Sequence, residues 1–127
     1  MDKAKVTQAL RRLADEWAAD PQVLAVLLFG SHAKGEATGM SDADVLIILA
    51  ASRKPFHERI PGFLRSGVGL PLDVFPYTLD EVQSLQPPVV TEALRNGIWL
   101  VDKVGLQESL KSMSKPEAGT RLKIVQQ

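Results

Sequence analysis

The chain of 127 residues contains no cysteine. Disulfide frameworks, thiol catalysis and cysteine-ligated zinc or iron–sulfur sites are therefore excluded. Histidine occurs only twice, so a metal centre built on nitrogen and sulfur ligands is not expected. A hard cation held by carboxylate oxygens stays open. An excess of one charge is missing too, since 15 Lys and Arg balance 15 Asp and Glu. Domains that grip nucleic acid through bulk charge carry a basic excess, so no nucleic-acid partner is expected. No apolar run exceeds seven residues, against the ~20 that a membrane-spanning helix needs. The first residues, MDKAKVTQALRRLADEW, carry charge throughout and have no apolar h-region, so no signal peptide is expected. These absences point to a cytoplasmic protein without a membrane segment.

What is present fits one domain. Hydrophobic residues make up 45% of the chain and charged residues 24%, the balance of a globular protein with a real core. Val6, Leu10, Leu13 and Trp17 repeat at i, i+4, i+7 and i+11, which predicts an amphipathic packing helix stopped by Pro21 near Asp20. Val23 to Phe29 is continuously apolar and ends at a glycine, as a strand buried on both faces would. A glycine-rich polar stretch from Gly30 to Ser41 leads into a second strand, Asp44 to Leu49. That connection is short for a parallel crossover, so the two strands are expected as antiparallel neighbours. Arg53 to Ser66 reads as polar, with a short helix interrupted at Pro61. Leu72 to Phe75 reads as a third strand ended by Pro76. Thr78-Leu79-Asp80-Glu81 is a capping-box signature opening a short helix before Pro87-Pro88. Val90 to Asn96 reads as a helix closed by Gly97 at C′. Ile98 to Val101 reads as a last strand, and Leu106 to Met113 as one more helix. Residues 1–102 would then form the domain and 103–127 a basic helix and tail, with five Lys and Arg against two Asp and Glu. The expected class is α/β (α+β): a small mixed sheet flanked by helices.

The chemistry concentrates between Gly30 and Asp44. A buried strand ending at Gly30-Ser31 lets backbone approach a ligand closely. A helical turn at Ser31-His32-Ala33-Lys34, with the Ser31 hydroxyl, forms an anion site, to which Lys34 adds a point charge. Asp42 and Asp44 lie two apart at a strand start, so alternation puts both on one face. Two like charges beside a core repel and lose hydration, and a divalent cation between them relieves both penalties. Asp73 lies inside the apolar run Leu70 to Phe75, where an ionisable residue is rarely structural unless paired. If its strand lies beside the second, three carboxylates meet near a phosphate turn, the parts of two-metal phosphoryl or nucleotidyl transfer.

Gly30, Ser31, Ala33, Gly35, Ser41, Asp42 and Asp44, with the later Asp73, resemble the DNA polymerase β nucleotidyltransferase superfamily, and most of all its minimal nucleotidyltransferases, over about residues 5 to 101. Their pattern is G-S-x-A-R-G-x-x-x-x-x-S-D-x-D. Lys34 stands where that pattern has Arg, keeping the charge but losing the bidentate fork. The resemblance implies a DNA polymerase β-like fold and two Mg²⁺ ions on Asp42, Asp44 and Asp73. It implies that Gly30, Ser31, Lys34 and Ser41 bind the nucleotide, ATP. It implies transfer of AMP to an acceptor hydroxyl, Asp73 helping to deprotonate it. Small proteins of this type work beside all-helical toxins of the HEPN family, as antitoxins that adenylylate a toxin tyrosine. The resemblance thus implies a HEPN partner, within a hetero-oligomer or homo-oligomer. Two other readings stay open: a non-catalytic antitoxin that neutralises its partner by binding, and a small-molecule nucleotidyltransferase.

Other residues read more plainly. His32 is expected to face solvent beside the motif, His57 to lie on the surface, and Glu36 to be a solvated loop acid. Tyr77 and Trp99 are expected to pack, and the basic tail to be solvated.

Overall fold

The computed structural model describes residues 3–35, 42–65 and 69–111. Helix α1, Lys3–Ala18, buries Ala9, Leu10, Leu13, Ala14 and Trp17 along one stripe. It ends two residues before Asp20, whose carboxylate accepts the Gln22 N–H at 2.9 Å and shapes the turn into Pro21. Strand β1, Val23–Phe29, is buried on both faces apart from Leu24, as its unbroken apolar run requires. The single turn α2, Ser31–Lys34, follows directly. Strand β2, Ala43–Leu49, pairs antiparallel with β1, Phe29 opposite Asp44 and Leu27 opposite Leu46. A short helix α3, Phe56–Arg59, runs into a 3₁₀ turn, Ile60–Gly62, which carries Pro61.

Strand β3, Leu72–Thr78, lies parallel to β2. It runs past Pro76, where the sequence reading stopped it. The Pro76 carbonyl turns away from β2 and accepts from Arg59 at 3.0 Å. The ladder therefore asks no N–H of this residue, and an edge strand tolerates proline there. Helix α4, Leu79–Ser84, starts at the expected capping box: Thr78 Oγ1 accepts the Glu81 N–H at 3.2 Å, and Glu81 accepts the Thr78 N–H at 2.9 Å. Helix α5, Pro88–Asn96, begins at Pro88 rather than Val90, because proline suits a first helical position. Gly97 ends it where expected, in an extended conformation, φ −79°. Glycine is needed there for space: an added Cβ would lie 2.3 Å from the Ala93 carbonyl oxygen. Strand β4, Ile98–Asp102, is antiparallel to β1, and α6, Leu106–Ser109, follows. Met113, where that helix was expected to end, lies outside the described residues.

The sheet order is β3-β2-β1-β4, with one parallel pair and two antiparallel pairs. Helix α1 covers one face, packing with Val23, Val26, Leu28, Val45, Ile47 and Val74. The other face, Ala25, Leu27, Phe29, Leu46 and Ile48, is covered by Val82 of α4, Val90 and Ala93 of α5, and Leu106 and Leu110. The mixed α/β layering matches the expected class. Trp17 closes the first layer, donating from Nε1 to the Phe63 carbonyl at 3.0 Å. Among the described residues no helix is long and apolar enough to cross a membrane.

Candidate nucleotidyl-transfer site

The site grows from the end of β1. Gly30 takes φ 75° and ψ −153°, a backbone conformation that favours glycine. Space demands it as well, because a Cβ on Gly30 would lie 2.3 Å from Asp44 Oδ2. The Asp44 carboxylate thus lies directly against the turn. That turn, α2, closes when Lys34 N–H donates to the Gly30 carbonyl at 3.1 Å and Gly35 N–H donates to that of Ser31. Gly35 adopts the left-handed conformation that ends it, φ 75°. Ala33 packs against the α1 side of the core, while Ser31 stays half-buried. The helical turn expected at Ser31 to Lys34 is present.

Asp44 is the second residue of β2 and lies in register with Asp73 on β3. Adjacent strands run about 4.8 Å apart, so the two carboxylates are neighbours across one ladder. The Ala43 N–H donates to the Pro71 carbonyl at 2.9 Å and starts that ladder just below them. Alternation carries Asp44 to the same sheet face as Leu46 and Ile48, and Asp73 to that of Phe75 and Tyr77. Phe29 and Phe75, ring centroids 5.6 Å apart, floor the site beside the acids. Asp42 precedes the strand and is exposed.

Burial pushes the Asp44 carboxyl above its ordinary range, and the charges of Asp73 and then Asp42 push it the same way. His32 pulls in the opposite direction. Asp73 and Asp42 both act on Asp44 through their charge. Their oxygen-only donor set suits a hard divalent cation, and a cation would relieve the repulsion that Asp44 carries. Among the described residues, no three His, Asp or Glu side chains already surround a single point. Asp42, Asp44 and Asp73 carry the oxygens that would have to converge to hold such an ion. Ser41, expected to bind nucleotide, lies outside the described residues, as does Glu36.

Lys34 points to α5, its Nζ 3.7 Å from Glu92 Oε2, both side chains part-exposed. Sequence reading did not single out Glu92, since nothing in its helix periodicity shows that α5 packs beside α2. A second missed feature is Arg59, only 7% exposed. It forks onto Glu81 at 2.7 and 2.9 Å and also reaches the carbonyls of Pro76 and Lys54. Glu81 was legible as a capping residue, but its cation lies 22 positions away. That pair holds the Glu81 carboxyl down to about 2, the Arg59 hydrogen bonds being the main cause.

Of the remaining expectations, His32 departs: it is half-buried and acts on Asp44 rather than facing solvent. His57 is 78% exposed beside Glu58. Tyr77 is half-buried and packs on Phe56, centroids 4.5 Å apart. Trp99 lines a cleft of about 460 Å³ with Leu94, Gly97, Asp102 and Leu110. None of the predicted site residues lines that cleft.

No curated protein matches the chain. Solved structures do. A Sulfolobus solfataricus protein assigned as a nucleotidyltransferase aligns with TM-score 0.52 and 16% identity, over 78% of this chain and 87% of its own. A toxin–antitoxin structure with AMP-PNP aligns with TM-score 0.58 and 19% identity, over 90% and 84%. A mutant of the toxin–antitoxin MntA-HpeT aligns with TM-score 0.57 and 17% identity, over 90% and 84%. At these identities the likeness is one of fold, the DNA polymerase β-like nucleotidyltransferase fold. Residues 7–100, from α1 through β4 and including every acid of the site, match the nucleotidyltransferase domain family, and the chain belongs to it.

Proposed function

We propose that this chain is a Mg²⁺-dependent nucleotidyltransferase that moves AMP from ATP to a hydroxyl of a partner protein, a tyrosine of a HEPN toxin, and acts as its antitoxin. The observation that carries the enzymatic part is the register of Asp44 with Asp73 beside the Gly30 turn. Two structural neighbours are toxin–antitoxin proteins, which supports the partner, and one of them was solved with AMP-PNP, which supports the nucleotide. Residues 1–102 would form the transfer domain, with 103–127 as a basic helix and tail.

Each residue has a task in this reading. The Gly30 backbone, the Ser31 hydroxyl, Lys34 and Ser41 hold the phosphates. Asp42, Asp44 and Asp73 would hold the ions, and Asp73 would help deprotonate the acceptor hydroxyl. The acceptor oxygen bonds to the α-phosphorus, the bond to the bridging oxygen breaks, and pyrophosphate leaves. When bound, the ions would supply charge stabilisation for the transfer. Phe29, opposite Asp44, and its neighbour Phe75 shield one side of the half-buried Asp44, which strengthens charge interactions with that carboxylate.

The test incubates the protein with α-labelled ATP, Mg²⁺ and the product of the neighbouring reading frame. Label on that product is expected, and none with Asp42→Ala/Asp44→Ala. An unlabelled but tight complex that survives the double substitution would favour a binding-only antitoxin. Label on an added aminoglycoside instead would favour a small-molecule enzyme.

A further inference from the structure

We infer that Glu92 sets the affinity of the site for nucleotide by competing with phosphate for the ammonium of Lys34. The inference rests on the reading of Lys34 as a phosphate contact and deepens it.

Helix α5 packs on the face of the sheet that carries Asp44 and Asp73, with Val90 and Ala93 in the same cluster as Phe29 and Leu46. Glu92 lies between those two core positions and meets Lys34, the last residue of the turn that begins after Gly30. A fourth carboxylate is thereby brought to an end of the sheet that already holds Asp42, Asp44 and Asp73. The pair is loose. At 3.7 Å it is well beyond the ~2.8 Å of a full charge-assisted hydrogen bond. The side chains are 46% and 38% exposed, so water screens them and a denser anion can take the ammonium away.

The identity of the cation matters here. A guanidinium fork could bridge a carboxylate and a phosphate at once. An ammonium is one compact charge on a flexible stem, so moving it towards phosphate moves it away from Glu92. Binding nucleotide therefore costs the Lys34–Glu92 contact and leaves the Glu92 carboxylate without that cation beside a polyphosphate. The penalty is largest for nucleotide without a divalent cation, where no other charge offsets it.

Calorimetric titration of AMP-PNP into the wild type, Glu92→Gln, Lys34→Gln and the double variant tests this, with and without Mg²⁺. Glu92→Gln is expected to tighten binding about three- to tenfold at low salt, less at high salt. In the Lys34→Gln background that gain should largely vanish. In turnover assays the change should appear in KM for ATP rather than in kcat. Unchanged or weaker binding by a folded Glu92→Gln protein would overturn the inference while leaving the reading of the site intact. So would an equal gain in both backgrounds, since the carboxylate would then act by bulk charge alone. If the wild type binds no AMP-PNP at all, the nucleotide reading fails and the inference falls with it.

Discussion

The Asp44 carboxylate occupies the volume that a side chain on Gly30 would fill, Oδ2 lying 2.3 Å from where the Cβ would be. One residue's absence of a side chain is the other's position. Gly30 also holds φ 75°, so two separate demands meet at one glycine. Gly30→Ala is expected to displace Asp44 as well as strain the turn. The fold should survive with a loss of about 1–3 kcal/mol. Transfer should fall on the order of a hundredfold, because misplacing a reacting group by ~1 Å has that effect. Paired thermal melts and label-transfer rates on the variant check both parts.

Asp44 should behave as an acid placed for function at some expense of stability. Its charge is opposed by burial and by Asp73 and Asp42. Asp44→Asn removes that repulsion and keeps the shape. Without divalent cation, its Tm should equal or exceed that of the wild type. Adding Mg²⁺ should raise the wild-type Tm and leave the variant nearly unmoved, and transfer should be abolished. A variant less stable than the wild type in metal-free buffer would contradict the electrostatic account.

The Arg59–Glu81 pair predicts acid sensitivity. The Glu81 carboxyl titrates at about 2 in the fold against an ordinary value of 4.5. Its folded value is depressed, so its contribution is fully present above pH 4.5 and is lost as pH falls towards 2. That shift is worth about 1–3 kcal/mol after allowing for solvent around a side chain 25% exposed. Urea titrations from pH 6 to pH 2 should show this loss in the wild type. In Glu81→Gln the same component should be flat with pH. That variant should be less stable by roughly 3 kcal/mol at neutral pH, since buried Arg59 is left without its anion.

Trp17 is 1% exposed and ties α1 to the 3₁₀ turn through the Phe63 carbonyl. Trp17→Ala should cost about 3–5 kcal/mol by leaving a cavity in the α1 layer. Trp17→Phe, which keeps most of the ring and loses the donor, should cost about 1–2 kcal/mol. Denaturant midpoints of the two variants separate packing from the hydrogen bond.

Much of the fold follows from local pattern. The unbroken apolar runs of β1 and β2 need burial on two faces, and helices on both sides of the sheet supply it. The short Gly30–Ser41 connection made the antiparallel pair legible. Thr78 and Glu81, three apart, made the cap legible. Pro76 misled, because a missing N–H ends a strand only where the ladder needs that N–H, and its carbonyl turns outward to Arg59. Gly97 closes α5 where the sequence placed it, and its small size serves close packing rather than a left-handed turn.

By itself the sequence determined the residue types of the site and their order, since the Gly30 turn and the Asp42–Asp44 spacing are local features of one short stretch. It also left a hard cation as the ion such residues would suit, because a chain without cysteine offers oxygen ligands first. The tertiary structure alone decided which distant groups complete the site. Asp73 reaches Asp44 only because β3 lies parallel to β2 in that register. Glu92 meets Lys34 only because α5 packs against the end of β1. Arg59 finds Glu81 only across the edge of β3. Such pairings depend on how buried faces pack together, and no periodicity within a single element records which face its neighbour will cover.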